Sequence, residues 1–263
     1  MLPGAKDFLE AVPNKSLGLA FEPEEFVVEV KRRLLGSVYN QEHYCPCCDG
    51  VCDVKGRHSQ LCAGAGDRNL RHYSARNLVG RFASAGGFNP ELEKPGLLPP
   101  GPDNLGPNSR RPADVYIPSW SQDAPAALDL AISSPQRQAA LAQDFREVGQ
   151  AAAAYEDVKR SHLNTAQSCA AQGLTFVPLV AEPSGGWGPS GVTALRRLAR
   201  AVELRTGEHR AAVGARFFQQ LSVAVRRASA RAILRRAGAE EMGVPDSIAA
   251  AWAALVEDVD EDI

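Results

Sequence analysis

The stretch Arg111–Pro135, RPADVYIPSWSQDAPAALDLAISSP, holds two short apolar runs separated by a loop that contains serine and proline. The runs Ala113–Pro118 and Ala126–Ile132 have the length and composition of β-strands. Each run carries one carboxylate, Asp114 in the first and Asp129 in the second. Two carboxylates on adjacent strands predict oxygen ligands for a hard divalent cation. The alternative is that both aspartates face solvent at strand ends.

The second run shows which face its carboxylate occupies. Side chains alternate between the two faces of a strand, so Leu128, Leu130 and Ile132 share one face. Asp129 then lies on the other face, between two alanines whose small side chains leave room for an ion or a substrate. The pattern predicts one apolar face and one face that holds the carboxylate.

The composition is that of a soluble globular protein, with 44% hydrophobic and 23% charged residues in a chain of 263. The formal net charge of −2 excludes no class of partner, because the charge is unevenly distributed. The sequence has no apolar run of about 18 residues, the length that spans a membrane. Its first residues also lack the apolar segment of a secretory signal. We therefore expect an intracellular protein with no membrane partner.

The order of the predicted elements indicates an α/β fold with a mixed sheet. A third strand is expected at Leu174–Ala181, at an edge or end because Pro178 has no N–H to donate. The Pro- and Gly-rich segment before Arg111 is expected to be loop, with at most one short strand near residues 96–98. Helices are expected at about residues 23–35, 67–83, 138–172, 192–206, 212–236 and 246–256, the last leading into an acidic tail.

Five of the six cysteines lie within an 18-residue segment, which favours metal binding in a reducing compartment over a disulfide framework. Cys45 and Cys48 form one pair, and His58 and Cys62 form a second. These are ligand types that zinc prefers, and four of them leave no open coordination position. The spacing predicts a structural zinc site that orders a segment too polar to fold by burial alone.

The zinc ligand set is left open by three neighbouring side chains, namely Cys47, Cys52 and His43. Each is of a type that could replace one of the four predicted ligands. The alternative for the whole segment is a group of free thiols without metal.

A lysine near the carboxylates would balance charge in a phosphodiester-cleaving site. Position 131, on the same face as Asp129, is alanine, so the strand does not supply it. Lys159 lies on a stripe of the alanine-rich helix with Tyr155, His162, Ala166 and Cys169 at helical spacing. If that stripe packs on the sheet, Lys159 can reach Asp129. The alternative is an ordinary lysine on a helix surface.

The segment from Leu195 to Arg236 is strongly basic, because eleven arginines are opposed by only two glutamates. Arginine binds phosphate through two parallel hydrogen bonds, so this surface predicts contact with a nucleic-acid backbone. The alternatives are a solvated helix face and an intramolecular contact with the acidic tail. The arginines that we predict to bind nucleic acid are Arg196, Arg197, Arg200, Arg226, Arg227 and Arg231.

Several motifs, in order, resemble a known family. CPCCDGVCDVKGRHSQLC followed by AGAGDRNLRHYSAR resembles the CCHC zinc knuckle and helix that precede the restriction-like endonuclease domain of non-LTR retrotransposons. RPADVYIPSW, AALDLAISSP, YEDVKRSHL and GLTFVPLVAE resemble the nuclease core, a variant of the PD-(D/E)xK fold. The resemblance covers about residues 45–236. Together with the predicted elements, it divides the chain into a helical lead-in at 1–44, a zinc knuckle at 45–66, a restriction-endonuclease-like core at 67–190 and a basic helical extension with an acidic tail at 191–263.

The resemblance implies a role for each residue of a nuclease centre. Asp114 and Asp129 would hold catalytic Mg²⁺, and Lys159 would replace the lysine usually found on the strand. Glu93 is the candidate for a further acidic residue, with Glu182 as the alternative. Arg71 and His72, just past the knuckle, are predicted to touch DNA phosphates, although His72 could equally be a core residue.

The predicted function is therefore metal-dependent DNA endonuclease activity of the retrotransposon target-site nicking type, in the nucleus. The implied partners are DNA and an element-encoded reverse transcriptase or RNA. The chain carries no Tyr-x-Asp-Asp motif of a reverse transcriptase, so a detached endonuclease segment, a truncated element and a host-derived relic all stay open. The alternative functions are a zinc-dependent nucleic-acid-binding module with a decayed nuclease centre, and a protein–protein module whose acidic tail docks on the arginine helices.

Overall fold

A computed structural model describes residues 2–99, 110–121, 124–136 and 149–237. The predicted helix at residues 246–256, the acidic tail and the first part of the alanine-rich helix lie outside the described residues. The described helices are α1 Asp7–Glu10, α2 Pro23–Arg33, α3 Arg57–Leu61, α4 Asp67–Ala85, α5 Gln150–Ser161, α6 Thr165–Ala171, α7 Pro189–Thr206 and α8 Arg210–Leu234. The described strands are β1 His43–Tyr44, β2 Val51–Cys52, β3 Glu91–Leu92, β4 Val115–Ser121, β5 Ala124–Ile132 and β6 Thr175–Ala181.

The chain forms two compact units, each made of two segments. The sheet unit comprises Met1–Ala11 and His72–Val225, and the cysteine unit comprises Val12–Arg71 and Arg226–Ile263. The boundaries between the units fall inside α4 and α8.

The sheet unit contains a four-stranded mixed sheet in the order β3-β4-β5-β6. β4 is antiparallel to both β3 and β5, whereas β5 and β6 are parallel. A parallel neighbour requires a crossover connection, and the segment between β5 and β6 includes α5 and α6. The predicted α/β class with a mixed sheet is confirmed.

The positions of the strands agree with the sequence in most places. β6 forms one edge of the sheet, as Pro178 predicted, and Pro178 pairs in register with Asp129. The prediction of a short strand near residues 96–98 is wrong. In this part of the chain, the strand that pairs with β4 is Glu91–Leu92.

The two faces of β5 pack against different groups, as the alternation of its side chains predicted. Leu128 and Leu130 belong to the main hydrophobic core of the unit, and Ile132 packs against it. Ala127 faces a smaller cluster that includes Cys169 of α6. Asp129 has the same parity as Ala127 and therefore lies on the face opposite the main core.

The main core extends past the predicted domain boundary at residue 190. α7 and α8 contribute buried apolar side chains to the same cluster as the sheet, including Leu195, Leu198, Val202, Phe217 and Leu221. These side chains recur at helical spacing, so each helix has an apolar face that requires burial. The first part of the predicted basic extension is therefore part of the sheet unit.

The alanine-rich helix is not continuous, contrary to the prediction. Leu163 and Asn164 have φ angles of 48° and 52°, which an α-helix does not tolerate, and they separate α5 from α6. The predicted stripe is consequently broken after His162. Lys159 lies in the last turn of α5, before the break.

The cysteine unit depends on ion pairs between α2 and the last part of α8. Glu29, whose side chain has no exposed surface, pairs with Arg226 at 2.8 Å, and the Arg226 side chain is 4% exposed. Glu25, also buried, pairs with Arg227 at 3.3 Å and with Arg231. A buried charge is tolerated when an opposite charge compensates for it.

We expect Glu29→Ala to lower the free energy of unfolding by about 3–5 kcal/mol, because it leaves the Arg226 guanidinium buried without this carboxylate. Glu10→Ala, which removes one partner of the exposed Lys6–Glu10 pair, is the control and should have a much smaller effect. Chemical denaturation followed by circular dichroism measures both variants. Equal losses in the two variants would contradict the proposed importance of the buried pair.

Candidate metal sites

Asp114 lies immediately before β4, and its side chain binds the backbone of β5 where β4 begins. Its own N–H donates to the carbonyl of Leu128 at 2.9 Å. Two residues further along β5, the N–H of Leu130 donates to Asp114 Oδ2 at 2.6 Å. The carboxylate therefore satisfies a β5 donor and is held in one orientation by it.

His72, in α4, reaches the same place. Its Nε2 lies 3.2 Å from Asp114 Oδ2 and 3.2 Å from the carbonyl oxygen of Leu130. Burial lowers the pKa of His72, but the hydrogen bond to Asp114, the charge of Asp114 and the Leu130 carbonyl outweigh burial and raise it above its ordinary value. The structure thus places this residue, which we predicted as a DNA contact, against a predicted metal ligand.

Asp129 and Lys159 form an ion pair between β5 and α5. Lys159 Nζ lies 3.0 Å from Oδ1 and 2.9 Å from Oδ2 of Asp129, and the two side chains are 25% and 16% exposed. α5 thus brings a lysine to the carboxylate even though position 131 is alanine. This is the contact that the helical position of Lys159 predicted.

Asp114 influences the ionisation of Asp129. Burial, and the charge and hydrogen bonding of Asp114, raise the pKa of Asp129 to about 6, whereas Lys159 acts in the opposite direction. Asp114 and Asp129 each adjoin a residue of the Val115–Leu128 pair of β4 and β5. Lys159 beside Asp129, and His72 beside Asp114 when its imidazole is protonated, supply positive charge to these two carboxylates.

Glu156 fixes the helix that carries Lys159. This carboxylate is 2% exposed and accepts hydrogen bonds from the backbone N–H groups of Ser190 and Gly191 at 3.1–3.2 Å. These N–H groups belong to the first turn of α7, where a helix has unpaired donors and favours negative charge. We did not predict Glu156, although its position one turn before Lys159 was a usable signal.

Glu93 and Glu182, the candidates for a third acidic residue, have other contacts. Glu93 forms ion pairs with Arg76 and, at 3.5 Å, with Arg111. Glu182 accepts a hydrogen bond from Ser184 at 3.1 Å. Among the described contacts, none joins either carboxylate to Asp114 or Asp129, so the structure brings together two of the predicted acidic residues with Lys159.

We expect Asp129 to titrate with a midpoint near pH 6 in metal-free protein, against an ordinary value of 3.8. Lys159→Met should raise the pKa further and Asp114→Asn should lower it, because the two neighbours act in opposite directions. Since the pKa is raised by folding, the associated stability is present at low pH and is lost as the pH rises through about 6. Carboxyl ¹³C NMR measures the titration, and shifts of the same sign in both variants would contradict this account.

The second candidate site is in the cysteine unit. Cys45, Cys48, His58 and Cys62 present ligand atoms that all lie within 4.8 Å of one another. The two strands β1 and β2 form a hairpin that carries the cysteine pair, and α3 carries His58 in its first turn. Gly50 passes so close to the His58 ring that a Cβ atom there would lie 2.3 Å from the ring.

The donor set fits a structural zinc ion. Backbone N–H groups two residues beyond Cys45, Cys48 and Cys62 each lie 3.3–3.4 Å from the preceding sulfur. Burial raises the pKa of Cys45, but hydrogen bonds from the Cys47 N–H and with His58, Cys48 and Cys62 outweigh burial and lower it to about 6, which favours the thiolate that binds metal. Three sulfurs and one imidazole leave no open position, so the site would have no catalytic role.

The spare candidates lie outside this cluster. His43 Nε2 lies 2.8 Å from the carbonyl oxygen of Arg236. Cys52 is fully buried and accepts a hydrogen bond from Ser59, and burial raises its pKa to about 11. Cys47 is half-buried and contributes its backbone N–H to Cys45. The metal-binding geometry therefore selects the four predicted ligands.

The predicted DNA-binding arginines divide into three groups. Arg71 and Arg226 are buried, 5% and 3% exposed, and bind protein groups, so their burial contradicts the predicted DNA contacts. Arg227 and Arg231 both form ion pairs with Glu25. The exposed arginines of α7 are Arg196, Arg197 and Arg200, of which Arg197 stacks on Trp120.

Comparison with protein-family models, with curated proteins and with solved structures finds no match to this chain. The resemblance to retrotransposon endonucleases therefore stays a prediction. In the described part of the chain, every helix is too short or too polar to cross a membrane.

We expect Cys48→Ala to abolish stoichiometric zinc binding, because three ligands cannot complete the tetrahedral set. Cys47→Ala is the matched control and should keep about one zinc ion per chain, since its sulfur is not part of the cluster. Elemental analysis after gel filtration measures the metal content. Zinc retained by the Cys48 variant and lost by the Cys47 variant would show that the ligand set is wrong.

Proposed function

We propose that this chain is a Mg²⁺-dependent DNA endonuclease of the restriction-like type found in non-LTR retrotransposons. The observation that carries the proposal is the cluster of Asp114, Asp129 and Lys159. These three side chains come from the start of β4, from β5 and from α5, and the sheet topology brings them together. The mixed sheet with flanking helices is also what the family resemblance implies.

The donor set fits a hard cation. Mg²⁺ prefers carboxylate oxygens, and a divalent ion beside Asp129 would stabilise the ionised form of this carboxyl group, whose pKa is raised by burial and by Asp114. Asp114 and Asp129 would hold the ion, which when bound would supply an activated water and neutralise charge on the scissile phosphate.

Lys159 supplies a fixed positive charge beside the carboxylates. Its contact with both oxygens of Asp129 holds the ammonium group at the site, and Glu156 holds the helix behind it. An ammonium group placed in this way stabilises negative charge that develops on a phosphate during hydrolysis. The role requires no lysine on β5, which is consistent with alanine at position 131.

The DNA backbone would bind to the exposed arginines of α7. Arg196 and Arg200 are one turn apart on this helix, and neither has an acidic partner among the described contacts. Guanidinium groups at this spacing suit a row of phosphates. Nicking of a chromosomal target in the nucleus, together with an element-encoded reverse transcriptase or RNA, belongs to the same proposal.

One observation favours the alternative, a zinc-dependent nucleic-acid-binding module with an inactive nuclease centre. Glu93 is bound by two arginines, so the cluster contains two carboxylates and no third acidic residue among the described contacts. In that case the cysteine cluster and the α7 arginines would be retained while Asp129 and Lys159 would only stabilise each other.

We expect zinc-loaded protein to nick supercoiled plasmid with Mg²⁺, and both Asp129→Ala and Lys159→Ala to lower the rate by at least about 100-fold. Asp157→Ala, at an exposed carboxylate, and Lys94→Ala, at a half-buried lysine that pairs with Glu91, are matched controls in the same unit and should retain the wild-type rate. Gel electrophoresis of nicked and closed plasmid measures the rates.

The outcomes separate the two functions. Equal nicking by wild type, Asp129→Ala and Lys159→Ala would remove these residues from the mechanism. Wild-type protein that binds DNA and does not nick it would favour the inactive binding module.

A further inference from the structure

His72 has a hydrogen-bonding arrangement that specifies its protonated nitrogen. Its Nε2 faces two oxygens at 3.2 Å, the Asp114 carboxylate and the Leu130 carbonyl. A carbonyl oxygen can only accept, so Nε2 must carry the hydrogen and share it between the two. The imidazole therefore links a side chain at the start of β4 to the backbone of β5.

Next to the first residue of β4, side chains supply the hydrogen bonds that β5 makes on this side. The N–H of Leu130 is bound by Asp114 Oδ2, and its carbonyl oxygen is bound by His72. Both the backbone N–H and the carbonyl oxygen of Leu130 are thus hydrogen-bonded to side chains. Asp114 Oδ2 receives two donors, and the second carboxylate oxygen takes part in neither of these hydrogen bonds.

We propose that His72 is a positioning residue of the carboxylate metal centre and that it holds Asp114 in the orientation in which this aspartate binds the ion together with Asp129. The inference rests on the proposed function. It replaces the predicted DNA contact of His72, because Nε2 is already engaged in the protein and the side chain is only 25% exposed.

A hydrogen-bonding partner behind a metal ligand affects metal affinity without touching the metal. Loss of such a partner typically weakens binding by about 10–100-fold. His72 is suited to this role because it is anchored in α4 and contacts both Asp114 and the strand that carries Asp129.

The two substitutions of His72 differ in whether they keep a hydrogen-bond donor at the position that Nε2 occupies in the wild type. His72→Leu removes the donor and fills much of the volume, whereas His72→Gln keeps an N–H group at about the same distance from the backbone. His162→Leu is the control, since His162 is an exposed histidine of the same unit. Zinc-loaded protein is titrated with Mn²⁺, which binds carboxylates as Mg²⁺ does, by isothermal calorimetry.

We expect His72→Leu to weaken Mn²⁺ binding by about 10–100-fold and His72→Gln to restore it to within a few-fold of wild type. His162→Leu should bind as wild type does. Thermal unfolding without Mn²⁺ is measured in parallel, and a Leu variant that binds weakly while its melting curve matches that of the Gln variant supports positioning over a general loss of structure.

The result is independent of nuclease activity. Wild-type affinity in His72→Leu overturns the inference, as does equal weakening in the Leu and Gln variants. If the expected binding pattern is seen and the protein does not nick plasmid, the inference is supported and only the proposed nuclease activity is contradicted. Failure of wild-type protein to bind Mn²⁺ overturns both the inference and the proposed catalytic centre.

Discussion

A largely buried carboxylate beside a second carboxylate requires positive charge nearby, and the sheet unit is arranged around this requirement. Asp129 is in that position beside Asp114, and Lys159 supplies one charge. Lys159 is available because Glu156 ties α5 to the first turn of α7. Perturbed carboxyl groups of this kind cluster at functional sites, which is the physical ground for the proposed metal centre.

The cysteine unit also contains buried charges that require compensation, and its own side chains supply it. The arginines at the end of α8 and just after it pair with carboxylates of the same unit, namely Glu25 and Glu29 of α2 and Asp67 at the start of α4. The basic segment of the sequence is therefore not one surface. Its last part stabilises the cysteine unit, and its first part, on α7, is exposed and suited to phosphate.

The sequence allowed a substantial part of the carboxylate site to be predicted. Alternation along β5 indicated the face of Asp129, and helical spacing indicated that Lys159 could reach it. The contact of His72 with Asp114 and the pairing of Glu93 could not be predicted correctly, because the sequence does not show which distant residues meet. Glu156 was not predicted, although its position one turn before Lys159 was a usable signal. His72 was in fact identified as a candidate, but for a contact with DNA.

By itself the sequence determined the features that depend on neighbouring residues. These include the faces of β5, the end of α6 near Gly173 and the two ligand pairs of the cysteine cluster. Only the tertiary structure determines which acidic and basic side chains pair, and therefore which arginines are buried and which are exposed. The physical reason is that the energy of a charge depends on its burial and on the groups within a few ångströms, and folding brings those groups from remote parts of the chain.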